Sequence, residues 1–391
     1  MTILISLFLA PLIILTLCFA TEILVGVFPG PKGSLALDDP IRAVIIVPAH
    51  NEEAILEGKL VALKTAAAGC AEILLVADNC DDATAQIARR VGVPVIERAD
   101  PQRRGKGFAL DFARDFLKPD PPGIVLVIDA DCMTDSGSLK ALITTCGATG
   151  RPCQATNIQM PASGSSPAVQ LSTFAFYIKN IVRQRALQRL AGRAQLLGTG
   201  MAFPWSTFAS AHLATGAIVE DVKLGQELAA SGHPPLLVEA ATVLSDAESD
   251  RNTLSQRSRW EGGVLHNALR AGPSYLLQSL RRADVRGAWG AIHIMIPPLA
   301  LLVLTDLLGL GVGAFSSWAV GAGPWPTLLL AGSLALAGSG LALAWVAGGS
   351  RFVTFGSLVR FPLYLLWKFP MYAGFLVRGV PKEWIRTGRD G

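Results

Sequence analysis

The sequence predicts an α/β domain with a mostly parallel sheet, flanked by membrane-crossing helices. Three observations carry this. Charge is nearly absent from residues 1–31, where Glu22 stands alone, and from 287–350, where Asp306 does. Between them, residues 42–160 alternate short apolar runs with helix-like stretches, the pattern of βαβ units. Only 16% of the 391 residues are charged and 51% are hydrophobic. A soluble domain carries about 25% charge, so disorder and an ordinary soluble enzyme are both poor fits.

Four segments follow in order: an anchor at 1–31, a domain at 38–286, a hairpin at 287–350 and a basic interfacial segment at 351–391. Residues 3–27 are long enough to cross a ~30 Å hydrocarbon core, and no basic stretch precedes them as a signal peptide would require. Segment 38–286 holds 26 basic and 26 acidic residues; it lacks the basic face of a nucleic-acid binder. Six cysteines without CxxC and five histidines without HExxH give neither a disulfide framework nor a zinc site. Two further spans are expected at 292–315 and 328–346, joined by an uncharged link. Pro297 and Pro298 should kink the first of them. Asp306 should face protein or water, or else lie near the outer interface. The stretch 352–377, interrupted by Arg360, Pro362, Lys368 and Pro370, suits an interfacial or re-entrant helix. Counting Lys and Arg next to the spans places both the 38–286 domain and the tail in the cytoplasm of a multi-pass protein of a bacterial-type inner or plasma membrane.

Within the domain, strands are expected at 43–48, 72–77, 93–97 and 123–128. They end in Ala49-His50-Asn51-Glu52-Glu53, in Asp78-Asn79-Cys80-Asp81-Asp82 and in Asp129-Ala130-Asp131. Ligands of open α/β sheets bind beyond the carboxyl ends of the strands, so the site is expected there. Asp129 and Asp131 can share a divalent ion such as Mg2+ or Mn2+, which favour hard oxygen ligands; alone, such a pair is as readily two solvated turn residues. The loop at 103–107 can bring Lys106 and backbone N–H groups to a phosphate, and no GxGxxG follows the first strand to suggest a dinucleotide cofactor. Gly198, Thr199 and Gly200 form a turn beside an apolar strand. Glu220 and Asp221 open a helix, where the dipole favours a carboxylate and capping is the default role. Gln256, Arg259 and Trp260 stand at i, i+3 and i+4 and share one helix face.

Taken in order, these motifs resemble the family 2 glycosyltransferases of the GT-A fold, in particular membrane-embedded members similar to the cellulose, hyaluronan and chitin synthases. The match covers about 43–262 and rests on VIIVPAHNEE, Asp78, the DAD at 129–131, GTG at 198–200, ED at 220–221 and QRSRW at 256–260. The resemblance implies inverting transfer of a hexosyl or N-acetylhexosaminyl group from a nucleotide donor, most simply a UDP-sugar. Asp78 and Glu52 would then hold the nucleoside, and Asp129 and Asp131 the metal-bound diphosphate. Gln256 and Arg259 would support the diphosphate, and Asp221 would be the base. Glu220, the Gly198–Gly200 turn and Trp260 would face the acceptor. The acceptor would be a cell-surface polysaccharide or oligosaccharide; a ceramide glucosyltransferase-like glycolipid synthase is the alternative. Membrane lipids, an export partner or a second copy of the chain complete the expected partners. Few spans are present compared with the large polymer synthases, which speaks against an autonomous export channel and against a transporter.

Overall fold

The computed structural model describes residues 1–30, 35–36, 39–215, 220–246 and 250–379, with side chains at all of these except 250–257, 259 and 376. Three basic residues of the tail, Lys382, Arg386 and Arg389, fall outside that range. The chain divides into two compact units. Among the described residues, one comprises those within 29–162 and 192–247; the other comprises those within 1–28, 163–191 and 248–379. Residues 163–191 and 248–286, read from sequence as part of the 38–286 domain, thus group with the apolar helices.

The first unit is the expected α/β domain. Its strands are β1 (Ala43–Ala49), β2 (Glu72–Asp78), β3 (Val95–Arg98), β4 (Ile124–Val127), β5 (Cys132–Thr134), β6 (Cys153–Met160), β7 (Met201–Pro204) and β8 (Leu236–Asp246), in the sheet order β3-β2-β1-β4-β7-β6-β8-β5. The pairs β1–β2, β1–β4, β2–β3 and β6–β8 are parallel. Both faces are covered, which is why the strands read as unbroken apolar runs rather than alternating ones. Ile45, Val47, Leu75 and Leu126 pack on one side with Leu56, Leu60, Leu139 and Leu142. Val44, Ile46, Val76 and Val125 pack on the other with Leu110, Ala113, Leu224 and Leu228. Helix Ser136–Thr149 starts where the Asp135 carboxylate accepts the Ser138 N–H at 2.9 Å and stops at Gly150 in the left-handed region, φ 63°.

The second unit is helical. Three helices among the described residues are long and apolar enough to cross a membrane: Thr2–Gly26, Leu299–Val320 and Trp325–Ala347. The span expected at 292–315 is corrected here. Helix Val285–Met295 ends before the two prolines and a new helix begins at Leu299; consecutive prolines break the chain rather than kink it, because a residue before proline is pushed out of the helical region. Asp306 is fully buried and accepts a hydrogen bond from Thr16 Oγ1 at 2.8 Å, so it faces protein. Glu22, the lone charge of the first apolar segment, is also fully buried; Arg183 Nε donates to it at 2.6 Å and His293 Nδ1 lies 2.7 Å from it. Residues 352–377 contain helices Phe355–Val359 and Phe361–Arg378.

Candidate active site

The parallel register of β1 and β2 pairs Ala49 with Ala77, so the segments leaving these strands are neighbours. Asn51 and Asn79 turn the chain there in left-handed conformations, φ 54° and 53°, which Asn tolerates better than most residues. His50 Nδ1 lies 2.7 Å from the Asp78 carbonyl oxygen, Asp81 N–H donates to Asn51 Oδ1 at 2.9 Å, and Glu52 N–H donates to Thr84 Oγ1 at 2.8 Å. Glu52 and Asp78 therefore sit on one bonded double loop. Asp78 is 6% exposed and accepts from Arg98 Nη1 at 2.6 Å. Arg98 was not foreseen; it faces Asp78 because β3 aligns the two residues across the ladder.

The second half of the site comes from an antiparallel strand inserted beside β4. Register pairs Val127 with Met201, and Gly200 N–H donates to Val127 O at 2.9 Å. The turn before β7 thus meets the turn after β4. Asp129 N–H donates to Thr199 Oγ1 at 3.1 Å. Lys106, first residue of helix Lys106–Leu117, donates to the Asp129 carboxylate and to Gly198 O, the latter at 2.7 Å. Gly198, at φ 85°, has no side chain, and a Cβ there would lie 3.4 Å from Asp221 Oδ2 and 3.6 Å from Lys106 Nζ. The structure accordingly brings together Lys106, Asp129, Gly198, Thr199, Gly200 and Asp221. Asp221 also accepts the Val222 N–H at 2.8 Å, at the start of helix Glu220–Ala230.

The charges of this cluster act on one another. Burial and then the Asp221 charge push the Glu220 carboxyl up to about 8, while Lys106 works against them. Burial pulls the Lys106 ammonium down, but Asp129, Glu220 and Asp221 outweigh it and the net shift is upward. Asp129, Asp131 and Cys132 offer ligand atoms within 4.8 Å of one another. Burial, then the Asp131 and Asp129 charges, raises the Cys132 thiol well above its usual range. Its Sγ donates to Asp131 Oδ1 at 3.3 Å. The carboxylates of Asp129 and Asp131 are hard oxygen ligands of the kind that suits Mg2+ or Mn2+.

The last motif is divided. The side chains of Gln256 and Arg259 lie outside the described residues. Trp260 belongs to the helical unit, where its ring centroid is 6.2 Å from that of Phe176. The residue after it, Glu261, escaped the sequence reading. It accepts from Lys368, which is 2% exposed, and from Tyr372 OH at 2.6 Å.

A profile described as Glycosyltransferase like family 2 matches residues 40–263. The chain belongs to that family. Among solved structures, this family 2 glycosyltransferase is similar to mannosyltransferase PcManGT from Pyrobaculum calidifontis in complex with GDP-Man and Mn2+. The identity is 17%, the TM-score 0.57, and the match covers 90% of this chain and 99% of that one. It is also similar, at 19% identity and a TM-score of 0.39, to glucosyl-3-phosphoglycerate synthase from Mycobacterium tuberculosis, solved with Mn2+, uridine diphosphate and phosphoglyceric acid; here 58% of this chain and 78% of that chain are covered. No curated protein matches. The fold expected from the order of the motifs, a GT-A-like α/β domain accompanied by apolar helices, is the fold observed.

Proposed function

We propose that the protein is an inverting membrane glycosyltransferase that moves a hexosyl or N-acetylhexosaminyl group from a nucleotide donor, in the first instance a UDP-sugar, to a cell-surface polysaccharide or oligosaccharide. The observation that carries this reading is the convergence of Lys106, Asp129, Gly198 and Asp221 at the carboxyl ends of the strands. Asp78 and Glu52, on the neighbouring double loop, hold the nucleoside. The diphosphate lies toward Lys106 and Asp129, with Gln256 and Arg259 as further donors. Asp129 and Asp131 would hold a divalent ion, which when bound would supply positive charge to the diphosphate. Bound GDP-Man and Mn2+ in the similar mannosyltransferase support a nucleoside-diphosphate donor and a metal here.

In the transfer, the acceptor hydroxyl oxygen forms a bond to the anomeric carbon from the face opposite the diphosphate. The bond from that carbon to the diphosphate oxygen breaks, and its electron pair leaves with the phosphate. Asp221 takes the hydroxyl proton. Lys106 meets the negative charge that grows on the leaving group, and fixed charge of this kind stabilises the transition state more than the ground state. Gly198, Thr199 and Gly200 let the acceptor approach backbone, with Glu220 beside it, and Trp260 provides a flat face for its sugar ring. A glycolipid synthase is the second reading, favoured by a cavity that mixes apolar and charged lining among the apolar helices.

Incubating the purified protein with radiolabelled nucleotide sugars and Mg2+ or Mn2+ tests the activity; absence of nucleoside diphosphate release with every donor would refute it. The proposed orientation has the 38–286 domain and the tail in the cytoplasm. Reporter fusions at Ser34, Ser317 and Asp390 should then read cytoplasmic, external and cytoplasmic.

A further inference from the structure

Gln154 stands in β6 with its side chain fully buried. An amide taken out of water is costly unless its hydrogen bonds are replaced, so its partners say why it is there. Nε2 donates to Thr199 O at 2.8 Å and to Ala155 O at 2.9 Å, and Oε1 accepts the Leu197 N–H at 2.9 Å. Both amide hydrogens and the amide oxygen are used, and two of these three partners belong to the segment that enters and forms the Gly198–Gly200 turn.

Sheet geometry explains the need. β6 pairs with β7 at two positions, Cys153 with Ala202 and Gln154 with Met201, and Ala155 N–H donates to Gly200 O at 2.7 Å. There the ladder ends, because Gly200 and Gly198, at φ 68° and 85°, turn the chain away. Residues 197–199 lie beyond it, and the Gln154 side chain supplies the bonds that the ladder stops supplying. What this segment carries is the diphosphate half of the site. Gly198 O accepts from Lys106 Nζ at 2.7 Å, and Thr199 Oγ1 accepts the Asp129 N–H at 3.1 Å. A shift of the turn moves both.

We propose that Gln154 is a positioning residue for the transfer. It holds the 197–200 segment, and through Gly198 O and Thr199 Oγ1 it sets where Lys106 and Asp129 meet the diphosphate. The inference rests on the diphosphate role proposed for Lys106 and Asp129. A residue that only fills the core is replaceable by an apolar side chain of the same length, whereas one that positions the turn is not.

Gln154→Met keeps the length and removes all three bonds. Thr156→Val is the control: Thr156 lies in the same strand and is also buried, but its hydroxyl donates to Ala241 O of β8, at 2.7 Å. Each full-length protein is melted, titrated calorimetrically with UDP in the presence and absence of Mn2+, and followed by hydrogen–deuterium exchange resolved to single amides. Both substitutions delete buried hydrogen bonding, so both should lower Tm. Only Gln154→Met should weaken Mn2+-dependent UDP binding, by about tenfold, the upper end of what one hydrogen bond contributes net. Only Gln154→Met should lose exchange protection at the Leu197 amide. Parent-like UDP affinity in Gln154→Met, or an equal loss in Thr156→Val, would overturn the proposal. So would a Leu197 amide that exchanges in the parent as fast as an unbonded one, a result that needs no variant to fold. A parent that binds no UDP would refute the donor reading instead, and the exchange comparison, which needs no ligand, would still decide the role of Gln154.

Discussion

Asp221→Asn separates proton acceptance from the other tasks of the site. The amide keeps the shape of the carboxylate and can still accept the Val222 N–H, now at 2.8 Å, so the start of helix Glu220–Ala230 should hold. Only the charge and the basicity are lost. A positioned base contributes about 10²–10⁴-fold, so turnover should fall by that factor, ~2.7–5.4 kcal/mol on the barrier. The same change acts in the opposite direction on folding. Glu220 is pushed up to about 8 by burial and next by the Asp221 charge, so a neutral neighbour eases the repulsion and lets Glu220 ionise more readily. Tm should hold steady or rise while turnover collapses. The assay is nucleoside diphosphate release with acceptor present, beside calorimetric titration with UDP and Mn2+ and a melting curve. Turnover within about tenfold of the parent would refute the base assignment. A nucleotide affinity that falls in step with the rate would make Asp221 a donor ligand instead.

Asp131→Asn should weaken metal-dependent UDP binding while leaving the fold intact, because Asp131 is half-buried at a strand end; calorimetry with and without Mn2+ reads this directly. Gly200→Ala should destabilise by ~1–3 kcal/mol from overpacking, since Gly200 has φ 68° and a Cβ there would lie 2.9 Å from both Ala155 Cβ and Val243 Cγ2; denaturant melts measure it. The Glu220 carboxyl, raised from 4.5 to about 8, binds a proton in the folded state that the unfolded state has already released. Its stabilisation is therefore complete below 4.5 and is lost as pH rises through about 8, so the Tm of metal-free protein should fall across that window and Glu220→Gln should flatten the fall.

Much of the α/β domain is legible in its sequence because β1, β2 and β4 are buried on both faces. Their apolar runs are unbroken, and acidic residues follow each of them. The partners of those ends are not legible. Nothing local to Gly198-Thr199-Gly200 says that it meets Asp129; that follows from β7 running antiparallel between β4 and β6, a choice of tertiary packing. Arg98 is invisible for the same reason. It reads as the last residue of a short strand until the β2–β3 register sets it against Asp78. In sequence Lys106 reads as a loop residue able to reach a phosphate; in the fold it is the first residue of a helix, and its bond to Asp129 joins positions 23 apart in sequence.

The buried charges of the helical unit show the same limit from the other side. On sequence, Glu22 and Asp306 are lone charges in apolar segments, and Asp306 is expected to face protein or water or to lie near the outer interface. In the fold each has partners supplied from far along the chain: Thr16 for Asp306, 290 positions away, and Arg183 and His293 for Glu22, 161 and 271 positions away. Removing Arg183 would take the ion-pair partner from the buried Glu22, which costs more than the pair itself contributes. Their role is therefore read best as one of register. A carboxylate that has only one place to be satisfied fixes how helix Thr2–Gly26 sits against the helices that carry its partners, where uniform apolar faces would allow sliding. Gly26 fits that account. A Cβ there would fall 1.8 Å from the Val182 carbonyl oxygen, so the backbones touch one turn beyond Glu22, and the ion pair and the close approach define the same docking of the same two segments.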